Sequence, residues 1–426
     1  MEEQRKIALM FIATGSIFTG IASVLGMLLI ISSSLKINLI SAELFSVHPL
    51  LQIFGFLTEF VLGVAYSLIP SFKSHGLPSY PLAYLSYGMI TVANGGYIFS
   101  MWVSMPSGLS EELLSIFLLL ELAAAAIFLW QIGYVIRKGR KTKLEGDAYL
   151  FISPLSLLLS LSAVIYSILR GLDPFSMGVV YLALIGFAGS MIFGVSLKTV
   201  AVRFTTNMAG TYRYGVYAQS AAVVSAFLSV YFQSFIASVV TSVLFMTSAS
   251  LFVLTARTFS QSRLLVPDRD RLLAHRGSTR GHGNLLFLEA SFMVASAWLI
   301  SGVFFGLLYS FSLDYWVRIA FIHSFSIGFI GSTIIGIAPV LLPGILSRNV
   351  PSGKNSLMPL YLLNAGLVIF IAGDLVALNN AFLPFWAGTG GPIIIISMLF
   401  FMYEIHRSLI SRKRENSERV SFSDDW

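Results

Sequence analysis

Of 426 residues, 56% are hydrophobic and only 11% are charged, with a net charge of +7 and no cysteine. A soluble domain carries roughly 25% charged residues, so this balance excludes one and points to an integral membrane protein. Absence of cysteine removes disulfides, thiolate chemistry and iron–sulfur ligation together, and leaves histidine as the one good nitrogen ligand.

Taken in order, the chain divides into about twelve apolar spans, near 7–32, 44–70, 81–104, 112–136, 149–169, 176–200, 215–234, 236–256, 285–310, 317–342, 357–379 and 385–406. Each reaches across a hydrocarbon layer of about 30 Å as a helix rising 1.5 Å per residue. Strands would give weaker segments of about ten residues with alternating polarity, so the expected fold class is all-α, with twelve transmembrane helices. The first apolar run is longer than a signal-peptide core and lacks a small-residue cleavage site, so no cleavable signal is expected.

The basic residues sort by loop. With both termini and the loops after even-numbered spans on one side, 24 of the 27 Lys and Arg fall there, and only Lys36, Arg170 and Arg318 fall on the other. The positive-inside rule then makes both termini cytoplasmic in a multi-pass cell-membrane protein. The arginine-rich run from Arg269 to Arg280 reads as a topology determinant against anionic lipid, with no nucleic acid needed to explain it.

Three spans share a pattern. Gly55-Phe56 with Gly63, Gly186-Phe187 with Gly194, and Gly328-Phe329 with Gly336 each place a second glycine eight residues after the first. Pro70 and Pro343 both stand fifteen residues after their glycine. The copies fall on spans two, six and ten, which predicts a single domain, 1–426, of three pseudo-repeated four-helix blocks: about 1–145, 146–258 and 285–411. The charged connection from Arg137 to Lys143 ends the first block, a cytoplasmic loop at 259–284 ends the second, and 412–426 forms a short tail. Glycines two turns apart on one face allow close helix contact.

Two copies carry histidine: His48, seven residues before its glycine, and His323, five before its own. The middle copy has Val179 and Tyr181 at these offsets. By helix rise each histidine lies about five residues, roughly 7 Å, below the same membrane surface. An imidazole there must be hydrogen-bonded, ionised at a cost, or bound to a metal. His75, His275, His282 and His406 fall in loops or at a helix end, where solvation is the default.

A twelve-helix chain with threefold repeats and histidines on spans two and ten resembles the catalytic subunit of haem–copper oxidases and nitric oxide reductases. The run Gly186-Phe187-Ala188-Gly189-Ser190-Met191-Ile192-Phe193-Gly194, with His323 ahead of Gly328, resembles more particularly the NnrS-type membrane proteins of that superfamily. The resemblance implies one low-spin haem b with His48 and His323 as iron ligands. Gln52, Arg318 and Tyr181 are the further candidate cofactor-binding residues: Gln52 one turn after His48, Arg318 placed to meet a propionate, Tyr181 at the offset of His323. Oxidases place copper ligands on helices six and seven, yet residues 176–234 contain no histidine, and Phe321 and Phe325 occupy the places where a second haem ligand would stand. No copper and no catalytic residue are expected, so the chain alone should not act as a terminal oxidase. The implied role is electron transfer in a respiratory complex, with lipid, other subunits and an external carrier or quinol as partners. A nitric-oxide-responsive protein, a carrier of two six-helix halves and an oxidase scaffold holding no cofactor are the alternatives. Glu59, eleven residues after His48, returns to within about 20° of its face at 100° per residue. Glu121 and Asp374 are acids inside spans with no partner assignable.

Overall fold

The computed structural model describes residues 2–37, 39, 47–102, 107–140, 146–204, 210–256, 282–338, 358–378 and 383–410. Pro343, His275, residues 259–281 of the predicted loop and the tail therefore lie outside the described residues, while 282–284, expected in that loop, begin a helix. Among those described there is no strand, and twelve helices follow one another. They are α1 Glu2–Leu35, α2 Val47–Lys73, α3 Tyr80–Trp102, α4 Ser107–Lys138, α5 Asp147–Leu169 and α6 Met177–Thr199. The second six are α7 Tyr212–Phe232, α8 Phe235–Ala256, α9 His282–Ser312, α10 Tyr315–Ala338, α11 Met358–Val376 and α12 Gly390–Ile410, the last entered through a 3₁₀ turn at Phe385–Thr389. Eleven are long and apolar enough to span a bilayer, all except α3. The chain is a multi-pass membrane protein.

Helices α2, α6 and α10 form the interior. Over their most apolar stretches 89%, 94% and 72% of residues are buried, against 22% for α1 and 28% for α4, whose apolar faces are left for lipid. Each inner helix is interrupted by a wider π-helical segment, at Leu51–Leu57, Tyr181–Gly189 and Ser324–Gly331. Each segment contains the Gly-Phe pair of its repeat. A π turn leaves the backbone locally wider and re-aims the side chains beyond it.

The repeated glycines seat each inner helix on the helix before it. A Cβ on Gly55 would meet Phe18 Cβ at 3.2 Å, and one on Gly63 would meet Phe11 Cβ at 2.8 Å, both on α1. On Gly186 and Gly194 it would meet Ser156 Cβ at 2.9 Å and Leu150 Cδ2 at 2.6 Å, both on α5. On Gly328 and Gly336 it would meet Trp298 Cγ at 2.6 Å and Ser291 Cβ at 2.3 Å, both on α9. The eight-residue spacing thus meets antiparallel partners six or seven residues apart, three times over. In lipid, where apolar burial gives no drive for one helix to meet another, such backbone approach supplies dispersion contacts that a larger residue would forfeit.

One charged cluster binds the ends of α2, α5 and α6. Asp147 receives Lys73 Nζ at 2.7 Å and Lys198 Nζ at 2.8 Å, and both lysines are buried. Gly146 precedes it at φ 119°, against the Gly194 carbonyl, a conformation and a gap that only glycine fits.

Gly336→Val, which forces a branched side chain onto Ser291, should destabilise the fold by about 1–3 kcal/mol as overpacking does. Gly20→Ala, with nothing within 4 Å of its new Cβ, should be neutral. Thermal unfolding of the two variants in detergent checks this, and equal melting temperatures would contradict the packing role of the repeat.

Candidate functional site

His48 opens α2 and His323 lies on α10 directly before its π segment. The His48 ring lies along α1: its Nδ1 is 2.8 Å from the Ala22 carbonyl, and a Cβ on Gly26 would meet its Cε1 at 2.5 Å. Glycine at position 26 is what leaves room for the imidazole. His323 Nδ1 is 3.0 Å from the carbonyl of Ile319, one turn earlier, and its ring meets Phe370 of α11 edge to face at 4.7 Å. The two imidazoles lie within electrostatic range of each other.

A carbonyl oxygen only accepts, so each Nδ1 donates and each Nε2 keeps its lone pair. Among the described residues neither Nε2 has a hydrogen-bond partner. A ring whose Nδ1–H is bound to a carbonyl, with Nε2 unoccupied, is in the tautomer and orientation of a metal ligand.

Beyond Gly26, α1 meets the start of α12 closely. Gly391 of α12 approaches Ile30, and a Cβ on Gly388 would meet Ser34 Oγ at 2.8 Å, so α1 and α12 press together there. Further along α2 and α10 the same seam holds a crevice lined by Phe56, Phe60, Ile334, Ile335, Met398 and Phe401, with Ser16 and Thr19 at its α1 edge.

Of the other sequence candidates, Gln52 stays beside the pair, donating from Nε2 to Ser23 Oγ of α1 at 3.3 Å. Arg318 is engaged elsewhere, with Asp173 at 3.3 Å and the Phe175 carbonyl, where it fastens the start of α10 to the α5–α6 connection. Tyr181 is buried on the opposite side of α10. Its hydroxyl bonds Ser242 Oγ at 2.6 Å and donates to the Gly306 carbonyl at 3.0 Å. Its ring begins a column of buried aromatics: Phe321 at 5.2 Å, then Phe325, Phe329, Phe193, Phe252 and Phe292. This column fills the space between α6, α8, α9 and α10.

Glu59 does not share the seam. The count of 100° per residue does not hold across the π segment at Leu51–Leu57, and Glu59 turns toward α3, accepting from Thr91 Oγ1 at 3.2 Å. His75 sits in the α2–α3 connection, its Nδ1 on the Gly76 carbonyl. Asp374, one turn from Phe370 on α11, is fully buried with neither carboxyl oxygen hydrogen-bonded. Gly26 and Phe370, which hold the two histidine rings, went unread in the sequence, because a lone glycine and a lone phenylalanine in apolar spans carry no pattern.

Comparison with known proteins now bears on this geometry. The structure of a haem–copper terminal oxidase dimer, determined by cryo-electron microscopy, superposes with a TM-score of 0.73, covering 96% of this chain and 84% of that one at 10% sequence identity. The chain has the fold of a haem–copper terminal oxidase. At this identity the likeness speaks for the fold alone. A family model described as a domain of unknown function, DUF8744, matches residues 216–408. No curated protein matches by sequence.

Phe325→Ala should open a cavity in the aromatic column and cost about 3–5 kcal/mol. Unfolding in detergent should shift to clearly lower temperature, and an unchanged melting curve would show that the column is not closely filled.

Proposed function

We propose that this chain is a membrane electron-transfer protein holding one low-spin b-type haem between His48 and His323, near the outer face of the cell membrane. The observation that carries this reading is the pair of half-buried imidazoles on α2 and α10, each with Nδ1 fixed by a carbonyl and Nε2 without a partner among the described residues. The oxidase-like fold supports it. The distribution of Lys and Arg supports a cytoplasmic position for both termini. The six glycine contacts, two per inner helix, support a triplicated four-helix block.

A haem there supplies one-electron chemistry at iron, with no open position once both histidines are bound. The chain's part is to hold the rings: Ala22 and Gly26 set His48, while Ile319 and Phe370 set His323. A fixed bis-imidazole site needs little rearrangement between oxidation states. Gln52 holds α2 to α1 beside His48 through Ser23. On the far side of α10, Phe321 and Phe325 are fully buried in the aromatic column. Together with the lack of histidine in residues 176–234, this filled space argues against a second haem and a copper ion. The chain alone is then not a terminal oxidase. Its donor and acceptor are a quinol, an external carrier or other subunits of a respiratory complex.

Purified protein from haem-replete cells should show a low-spin reduced-minus-oxidised spectrum and contain iron without stoichiometric copper. His48→Ala and His323→Ala should each abolish that spectrum, and Gly26→Val should weaken it by displacing His48. A colourless wild-type preparation would sink the proposal. Nitric oxide separates the NnrS-like alternative: an unchanged spectrum of the reduced protein supports electron transfer, whereas rapid conversion supports a gas-responsive role in which a histidine leaves the iron.

A further inference from the structure

The first four helices contain a second polar centre that the haem reading does not use. Glu59 of α2 and Glu121 of α4 are both fully buried, and the two carboxyls lie within electrostatic range of each other. Glu59 Oε1 accepts from Thr91 Oγ1 at 3.2 Å, and Glu121 Oε2 accepts from the Tyr97 hydroxyl. Three acceptor atoms at this centre have no donor: Glu59 Oε2, Glu121 Oε1 and Asn94 Oδ1. Thr14 of α1 and Asn94 of α3 stand beside Glu59, with Thr14 Oγ1 donating to the Met10 carbonyl and Asn94 Nδ2 to the Phe54 carbonyl. The groups facing Glu59 are thus Thr14, Thr91, Asn94 and Glu121, and those facing Glu121 are Tyr97 and Glu59. Neither set contains a lysine, arginine or histidine.

Two ionised carboxylates at such a place would combine desolvation, mutual repulsion and three idle acceptors, with no cation to offset them. Protonation lowers these costs: a neutral carboxyl loses its desolvation penalty and its repulsion, and its O–H becomes a donor in a centre that has idle acceptors.

We propose that Glu59, Asn94, Tyr97 and Glu121 form a proton-binding site inside the membrane, in which the two carboxyls hold exchangeable protons. The proton is the ligand and binds to carboxylate oxygen; no electron moves and no other bond changes. The site is independent of the haem reading, since it uses none of the residues that hold His48 or His323. The same cluster of oxygens suits a small cation instead, which is the outcome the test must separate.

The test is infrared difference spectroscopy of the full-length protein in detergent or nanodiscs, comparing water with heavy water. The wild type should show the carbonyl stretch of protonated carboxyls, shifted in heavy water. Glu59→Gln and Glu121→Gln, which keep shape and remove the acid, should each remove a distinct part of that band, and the double variant should remove both. Melting curves of the variants should stay near wild type, showing that the bands were not lost by unfolding. If both glutamates are ionised at neutral pH, or if sodium, potassium or calcium raises the wild-type melting temperature but not that of the double glutamine variant, the site holds a cation and the proposal fails. If the band is present but never shifts in heavy water, the protons do not exchange and the proposal also fails.

Discussion

Close approach of helix backbones at glycine is the constraint on which the rest of this molecule depends. In a bilayer, lipid tails are as apolar as leucine, so helices gain little by burying side chains against each other and must gain by fitting closely. Here the fit occurs at six glycines, two on each inner helix, and every one faces the preceding helix at a distance that a methyl group would close. With α2, α6 and α10 seated in this way, the interior is defined before any cofactor is considered. Each inner helix then carries a π segment over the same Gly-Phe pair, where the widened turn changes which residues face the centre.

Much of this was legible in the sequence, because glycine spacing and apolar span length are local properties. Twelve spans became twelve helices, and the Gly-Phe repeats marked the three most interior ones. The π segments were not legible: nothing in Leu51-Gln52-Ile53-Phe54 distinguishes a π turn from an α turn. That is why Glu59, placed on the face of His48 by regular rotation, turns instead toward α3. Arg318 shows another limit, since its partner Asp173 lies 145 residues away and only the fold brings them together. Tyr181 shares an offset with His323 by repetition, yet the two lie on different sides of α10 because the three copies surround a common centre rather than one site.

The two sides of α10 differ in what they hold. On one side His323 presents an unpartnered nitrogen to an apolar seam shared with α2. On the other, phenylalanines at positions 321, 325 and 329 stack in a buried column reaching Phe193 and Phe252, whose rings are 4.1 Å apart. A space filled by close-packed rings does not admit a macrocycle without the loss of several such contacts. In the proposed reading, the same helix would offer one haem ligand on its His323 side and fill its other side with packed rings.

The central claim is that His48 and His323 are joined through one iron atom. Electron paramagnetic resonance of the oxidised, purified protein tests it most directly, because two axial imidazoles give a low-spin ferric signal distinct from that of a five-coordinate haem. The account predicts a single low-spin species, lost in both His48→Ala and His323→Ala. A high-spin signal in the wild type, or a low-spin signal that survives replacement of both histidines, would contradict it.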